Sequence, residues 1–303
     1  MDEESESAAR DSGRLSRLES SALRAIRGAG RSSRRPAMLF SAGKDSCAIL
    51  HLARKAFAPA PPPFPLLSVD TTWDFPEILS FRDRVARSAG MELIVQINRE
   101  GARRGVGPFT HGAAGHIRVM KSAALEQALD KHGFDALIDG ARGDERRVRG
   151  SARANAADQP ALRRGDKGDA AIGDEGAGIG RGPARIFPLA AWTERDVWRY
   201  IARERIEVPE LYFAAERAVV SRNGLLIVRV DERMKLADGE REQAAKVRFR
   251  SLGCWPLSGA VRSEAQDAAA VLRELGREPG SERGGRVQDR LATGGATPQS
   301  GYF

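Results

Sequence analysis

The segment Phe40–Ser46 reads Phe-Ser-Ala-Gly-Lys-Asp-Ser, and its residue types could do chemistry. It lies between the apolar run Pro36–Phe40, which predicts a buried strand, and Ser46–Phe57, whose apolar spacing predicts a helix. A strand-to-helix turn offers backbone amides and the partial positive charge of a helix N-terminus, and Lys44 adds a full charge. We therefore predict that this segment, called the 40–46 loop below, holds phosphate.

The spacing within the 40–46 loop excludes one large class of phosphate-binding protein. A Walker loop needs a glycine five positions before its Gly-Lys pair and a serine or threonine directly after the lysine. Position 38 is methionine and position 45 is aspartate. The loop therefore does not belong to a P-loop NTPase.

Composition limits the ligands and the environment. The chain has 303 residues, enough to bury a large core, and a formal net charge of +8. No basic stretch is interleaved with aromatic residues that stack on bases, so we expect small anions rather than nucleic acid as ligands. No apolar run approaches the roughly 18 residues that cross a bilayer. Two cysteines, Cys47 and Cys254, cannot form a disulfide framework, and we expect a cytoplasmic protein.

Strand and helix patterns alternate through the first half of the chain. Residues 1–13 are acidic and are expected to form a disordered leader, and Arg14–Ile26 has helical spacing. Strands at 65–70, 92–97 and 135–139 alternate with helices at 77–89 and 116–131. This alternation implies right-handed crossovers. The predicted fold is α/β, a doubly wound parallel sheet, with an ATP-binding core over residues 14–150.

Ligands of such sheets bind at the carboxyl ends of the strands, near the point where the strand order reverses. Three predicted strands end in polar or glycine-containing segments, at 41–46, 70–73 and 140–145. Because the carboxyl ends of parallel strands lie at one edge of the sheet, we expect these segments to converge on one crevice.

The second half of the chain is less regular. Residues 151–182 are rich in Ala, Gly, Asp and Arg and are expected to form a mobile loop. Order is predicted to resume at Ile186–Leu189, and Thr193 is a plausible N-cap for the helix that follows. Asn223-Gly224 between two apolar runs predicts a hairpin turn. Residues 183–303 are thus expected to be a C-terminal irregular α+β extension that completes the domain and contacts a partner.

Several separated segments together resemble one family. The 40–46 loop is similar to the PP-loop of the ATP pyrophosphatases, which have the adenine nucleotide alpha-hydrolase-like fold. With the other segments, the chain resembles the small, ATP-binding subunit of bacterial heterodimeric sulfate adenylyltransferase, from about residue 14 to the end. The segments that carry this resemblance are Phe40–Ser46, His51–Phe57, Phe64–Thr71, Pro108-Phe109, His111-Gly112, Gly133–Ala136, Gly140–Arg142, Arg248–Leu257 and Gly285–Phe303.

The resemblance implies a reaction in which ATP and sulfate give adenosine 5′-phosphosulfate and pyrophosphate. It implies ATP as substrate, Mg²⁺ as cofactor, and a separate large GTPase subunit as partner. Asp45 would orient the loop or a magnesium ion. The residues implied for nucleotide binding are Ser41, Gly43, Lys44, Asp45, Ser46, Asp70, Thr71 and Gly140. Those implied for catalysis are Lys44, Arg142 and Asp144, and those for sulfate are His111, Arg149 and Arg153.

Departures from the family's usual pattern cluster near the expected crevice. The family usually carries other residues, several of them charged, at Ser68, Asp74, Gly115, Gly143, Ser151 and Ala152. These departures leave open a divergent paralogue that binds ATP with altered or lost catalysis. A second alternative is an enzyme similar to phosphoadenylyl-sulfate reductase, which shares the fold that the resemblance implies. The reductase would need a reactive cysteine near the C-terminus in a Glu-Cys-Gly context, whereas Cys254 lies in Gly-Cys-Trp.

Overall fold

The computed structural model describes residues 3–143, 183–277 and 282–287. Helix α1 (Glu3–Ser32) covers most of the segment expected to be a disordered leader, and that prediction is wrong from residue 3 onward. Acidic residues stabilise a helix N-terminus, so an acidic start favours helix as well as disorder. Ion pairs also hold this part of α1 to the C-terminal half, since Arg199 Nη1 donates to Asp11 Oδ1 at 2.8 Å.

A five-stranded parallel sheet forms the centre of the molecule. Its strands are β1 (Pro36–Leu39), β2 (Leu66–Val69), β3 (Leu93–Gln96), β4 (Ala136–Ile138) and β5 (Ala184–Ile186). Their order is β3-β2-β1-β4-β5, so the chain runs outward in one direction from β1 and then in the other from β4. The predicted doubly wound sheet is confirmed. Strand β5 ends where Ile186–Leu189 was expected to start, and it pairs with β4 along Ala184–Ile186.

Helices cover the sheet between these strands. They are α2 (Lys44–Phe57), α3 (Pro76–Ser88), α4 (Arg99–Arg103), α5 (Pro108–His116) and α6 (Ala124–His132), with a π-helical segment Ile117–Ala123 between the last two. The single helix predicted at 116–131 is thus wrong in its start and its regularity. Gly112 has φ 65° and breaks α5, and Asn98 Nδ2 donates to the Val119 carbonyl at 2.9 Å inside the widened turn.

The C-terminal half adds two helices and a small barrel. Helix α7 (Glu194–Glu204) begins after Thr193, which caps it by accepting from the Asp196 amide at 3.2 Å, as predicted. Strands β6 (Ala215–Arg222), β7 (Leu225–Val228), β8 (Glu242–Arg248) and β9 (Gly259–Arg262) close antiparallel in the order β6-β7-β9-β8, and α8 (Ala268–Leu275) follows. The predicted turn at Asn223-Gly224 is confirmed, with positive φ at both residues.

One hydrophobic core joins the two halves. Buried residues of α1 and α2 pack in the same cluster as Trp198 of α7 and Tyr212, whose rings meet edge to face at 5.5 Å. The C-terminal half is thereby fixed against the carboxyl ends of β1 and β4. Among residues 3–143, 183–277 and 282–287, the helices are all too short or too polar to span a bilayer.

Candidate functional site

The 40–46 loop begins helix α2 earlier than the sequence pattern predicted. Helix α2 starts at Lys44 rather than Ser46, with Gly43 as an extended N-cap. Ala42 has φ 55° and turns the chain from β1 into the helix. Ser46 Oγ donates to the Gly43 carbonyl at 2.9 Å and lies 3.5 Å from Ser41 Oγ. Lys44 and Asp45 are consequently held in the first helical turn, where backbone amides and the helix dipole favour an anion.

A tyrosine from the C-terminal half completes the helix start. The backbone amide of Lys44 donates to the hydroxyl of Tyr212 at 2.9 Å. Both residues are buried. An unpaired amide at a buried helix N-terminus would be costly, so Tyr212 stabilises the loop although it lies 168 residues away along the chain.

Four charged side chains meet beside this helix start. Lys44 Nζ pairs with Asp45 Oδ2 at 2.9 Å and also with Glu282 Oε2. Arg142, which follows β4, pairs with Asp45 Oδ1 and donates to Glu282 Oε1 at 2.7 Å. Lys44 and Arg142 are each only 1 % exposed, and Glu282 is 4 % exposed. We call Lys44, Asp45, Arg142 and Glu282 the charge cluster.

Mutual charge keeps the cluster ionised despite its burial. Burial alone would lower the pKa of Lys44, but the carboxylates of Asp45 and Glu282 raise it above its ordinary value. Burial opposes ionisation of Glu282 as well, yet the cations of Lys44 and Arg142 hold the pKa of that carboxyl well below its usual range. Two cations thus lie at the carboxyl ends of β1 and β4, each paired with both carboxylates of the cluster.

The strand order explains why these side chains meet. The strand order reverses between the neighbouring parallel strands β1 and β4, and ligands of doubly wound sheets bind beside the carboxyl ends of strands at such a point. Gly140 follows β4, and a Cβ atom there would lie 3.5 Å from the Asp45 Cβ. The loop after β4 therefore lies directly against the start of α2, which confirms the expected convergence for these two segments.

The segment after β2 is bound into its own network. Asp74 Oδ2 accepts from the Thr71 amide at 2.9 Å and from Thr71 Oγ1 at 3.1 Å. Thr71 Oγ1 also lies 3.3 Å from Cys254 Sγ, and Asp70 Oδ1 accepts from the Thr72 amide at 2.8 Å. The role of Asp70 and Thr71 toward adenosine stays a prediction, and the Thr71 hydroxyl is already engaged within the protein.

Of the residues predicted to bind sulfate, His111 is the one that the structure describes. It lies in α5, with Nδ1 2.8 Å from Thr110 Oγ1. Within the described parts of the chain, including the segment with Glu282, no hydrogen bond or ion pair joins His111 to the charge cluster. Asp144, Arg149 and Arg153, and the loop expected at 151–182, lie outside the described residues.

Two departures from the family pattern are built into the packing. The Gly143 amide donates to the Ala190 carbonyl at 3.0 Å, and a Cβ at Gly143 would lie 2.5 Å from that oxygen. A side chain at this position requires the backbone to move. Asp74 holds the turn after β2 through its two bonds to Thr71. Ser68 is buried within β2, whereas Ser151 and Ala152 lie outside the described residues.

The described residues do not fit a dedicated magnesium site. Across 3–143, 183–277 and 282–287, no group of three or more His, Cys, Asp or Glu side chains could hold a metal ion. Both carboxylate oxygens of Asp45 pair with cations, one with Lys44 and one with Arg142. Asp45 as a magnesium ligand therefore stays a prediction that this arrangement does not support.

Sequence reasoning missed Tyr212 and Glu282. Each lies in a short 3-10 turn, Glu210–Tyr212 and Glu282–Gly285, which has no hydrophobic period to recognise. A polar residue in a turn is ordinarily solvated, and only the fold brings these two against Lys44. A glutamate buried among cations has no local sequence signal.

Comparison with known proteins agrees with this geometry. Residues 35–260 match the phosphoadenosine phosphosulfate reductase domain, so the parallel sheet and its 40–46 loop define a domain of this class. The chain is 47 % identical over 302 residues to "sulfate adenylyltransferase subunit 2 1" of Alkalilimnicola ehrlichii, covering 95 % of this chain and 93 % of that protein.

Two further relatives carry the same name and similar coverage. Sulfate adenylyltransferase subunit 2 of Rhodopseudomonas palustris is 48 % identical over 301 residues, with 97 % of this chain and 92 % of that protein covered. The protein of the same name from Brucella anthropi is 48 % identical over 297 residues, with 95 % and 96 % covered. The chain belongs to the sulfate adenylyltransferase subunit 2 family, which confirms the resemblance seen in its sequence.

Proposed function

We propose that this protein transfers the adenylyl group of ATP to sulfate, giving adenosine 5′-phosphosulfate and pyrophosphate. The observation that supports this most is the buried pair of cations, Lys44 and Arg142, at the switch point of a parallel sheet and the first turn of α2. Relatives at 47–48 % identity over almost the whole chain bear the name of that activity.

The proposed step needs positioning and charge neutralisation rather than a base. A sulfate oxygen attacks the α-phosphorus, the bond from that phosphorus to the bridging oxygen breaks, and pyrophosphate leaves with the bonding pair. Sulfate is already deprotonated, so no proton moves. Lys44 neutralises the leaving pyrophosphate, and the amides and hydroxyls of the 40–46 loop donate to it.

Arg142 is proposed to stabilise the charge that develops between sulfate and the triphosphate. Its guanidinium offers a planar fork of donors that matches tetrahedral oxyanions. It reaches the loop from β4, the strand beside β1. The described residues do not supply a magnesium site of their own, so the roles proposed for Lys44 and Arg142 do not depend on the ion.

The cysteines disfavour a reductase. Burial raises the pKa of the Cys254 thiol to about 11, and the charge of Asp74 raises it as well. Its Sγ lies 3.3 Å from both Thr71 Oγ1 and His116 Nε2, inside the protein. Burial likewise raises the pKa of Cys47 well above its ordinary value. Neither thiol is therefore a ready nucleophile at neutral pH.

A partner subunit is part of the proposal. The relatives are called subunit 2, and this chain contains no Walker sequence of its own. We propose that it works with a separate large GTPase subunit whose GTP hydrolysis drives the unfavourable adenylyl transfer.

The test is sulfate-dependent release of pyrophosphate from MgATP by the full chain, purified with the large GTPase subunit of its own organism and assayed with GTP. We expect Ser46→Ala to lower this release by more than tenfold, because it removes a hydroxyl of the 40–46 loop. Ser20→Ala is the matched control, since Ser20 Oγ donates to a helix carbonyl at 2.9 Å on the exposed face of α1. ATP binding without any sulfate-dependent release would refute adenylyl transfer and favour the divergent paralogue.

A further inference from the structure

A glutamate from the C-terminal half occupies the position where the 40–46 loop would hold an anion. Glu282 spans the two cations, with Oε2 on Lys44 and Oε1 2.7 Å from Arg142 Nη2. It lies 238 residues from Lys44 along the chain. A carboxylate with one oxygen on each cation makes the contacts that two oxygens of a phosphate would make.

The connection between β8 and β9, not the parallel sheet, holds the segment that carries Glu282. Arg286, four residues further along the chain, donates from Nε to Ser251 Oγ and from Nη2 to the Leu252 carbonyl of that connection, both at 2.7 Å. The backbone of Arg286 also pairs with Ser258 next to β9. Glu282 therefore reaches the charge cluster from a separately anchored element, whereas Asp45 is fixed in the first turn of α2.

The burial of the cluster makes a third anion costly. Lys44 and Arg142 already face two carboxylates. A third carboxyl, Glu194, lies nearby: burial raises its pKa most, and the negative charge of Glu282 raises it further. Glu194 is itself paired with Arg250 at 3.0 Å. Like charges brought together at low dielectric repel strongly. A polyphosphate on the two cations therefore requires one carboxylate to leave, and Glu282 is the one not fixed to α2.

We propose that Glu282 is a built-in competitor for the pyrophosphate position. Its carboxylate neutralises Lys44 and Arg142 when no phosphate is bound, withdraws when the pyrophosphate end of the nucleotide enters, and returns to favour pyrophosphate release. This inference rests on the proposed function, because it assumes that the 40–46 loop holds that part of the nucleotide. Glu282 is then a residue that sets affinity for the leaving group without forming a bond to it.

Binding of inorganic pyrophosphate to the full chain, measured by titration calorimetry, tests the inference. We expect Glu282→Gln, which keeps the shape and removes the charge, to lower the Kd for pyrophosphate at least tenfold. Glu274→Gln is the matched control, because Glu274 also pairs with a buried arginine, Arg248, at 2.8 Å but lies outside the charge cluster. Its pyrophosphate Kd should equal that of the wild type.

Steady-state kinetics of the complex supply a second readout that a merely structural role would not move in this way. Glu282→Gln should lower KM for ATP and also lower kcat, because pyrophosphate release slows. Glu282→Asp keeps the charge but shortens the reach by one methylene, and it should give a several-fold gain in pyrophosphate affinity. If Glu282→Gln does not fold, the pyrophosphate affinity of Glu282→Asp tests the competitor role instead.

The outcomes separate the two claims. Pyrophosphate binding that is unchanged or weaker in the Glu282 variants, with the wild type still binding ATP, overturns the competitor role and leaves the proposed function standing. A wild-type chain that binds neither ATP nor pyrophosphate refutes the proposed function and the inference together.

Discussion

Removing the Lys44 ammonium should destabilise the fold because it unbalances a buried set of charges. Lys44→Met keeps an unbranched side chain of similar length and leaves Glu282 with Arg142 as its remaining partner among the described residues of the cluster. At about 3 Å and an effective dielectric constant near 20, one ion pair is worth about 5 kcal/mol before desolvation. Breaking a buried pair costs about 3–5 kcal/mol. Because Arg142 still pairs with Glu282, we expect the free energy of unfolding to fall by an amount at the lower end of that range, about 3 kcal/mol.

A double-mutant cycle isolates this pairing from packing effects. Equilibrium unfolding in urea, followed by the fluorescence of buried tryptophans such as Trp198, gives the free energy of unfolding of wild type, Lys44→Met, Glu282→Gln and the double variant. The double variant should lose about 2 kcal/mol less than the sum of the single variants, because it leaves neither charge unpaired. The melting temperature of Lys44→Met should fall by about 5 °C, because the unfolding entropy scales with the 303 residues of the chain.

The control cycle uses the exposed pair of Lys55 and Glu204, which lie 3.3 Å apart with the lysine 44 % exposed. Exposed pairs couple by about 1 kcal/mol or less, so this cycle should be nearly additive. Strict additivity of Lys44→Met and Glu282→Gln would refute the reasoning, since it would mean that the two charges do not depend on each other for stability.

Three further changes have defined outcomes. Tyr212→Phe removes the acceptor of the Lys44 amide and should lower the free energy of unfolding by about 1–2 kcal/mol, measured in urea; no loss would contradict that role. Burial lowers the pKa of His116 to about 4, so unfolding takes up a proton between about pH 6.5 and 4 and stability should fall as pH falls through that range. His116→Phe should flatten this pH dependence of the free energy of unfolding, measured in urea, by about 3 kcal/mol at most, and an unchanged slope would assign the dependence to other groups. Asp74→Lys should lower the melting temperature and the rate of pyrophosphate release, because it breaks two bonds to Thr71; a gain in activity would show that charge, not the turn, is decisive.

The parallel sheet could be predicted because its strands are short apolar runs that alternate with helical segments. Four strands lie within one residue of their predicted ends. Strands β1, β2 and β4 are mostly buried, and burial on both faces gives a continuous apolar signal. The edge strand β3 is only partly buried, but its run Leu93–Val95 is apolar as well. Helix α5 was missed because Gly112 and Gly115 depress helix propensity, whereas the observed helix tolerates a break at Gly112. The acidic start of α1 was misassigned because composition favours both disorder and a helix N-terminus.

The candidate site could be predicted where it depends on the sheet and not where it depends on long-range contact. Lys44 and Arg142 follow adjacent strands, so topology alone brings them together. Tyr212 and Glu282 reach Lys44 across 168 and 238 residues through short turns. A single sequence contains no measure of such distances, and a glutamate in a turn carries no sign that it will be buried.

The contact between Glu282 and Lys44 also bears on the order in which the protein is made. Translation supplies Lys44 and Arg142 early, but the tyrosine hydroxyl and the second carboxylate that balance the 40–46 loop come only after residues 212 and 282. A premature stop ahead of Glu282 therefore removes half of the negative charge from a buried cluster rather than an expendable tail. For the same reason, we expect the first half of the chain, made alone, to carry the 40–46 loop without the groups that balance its charge.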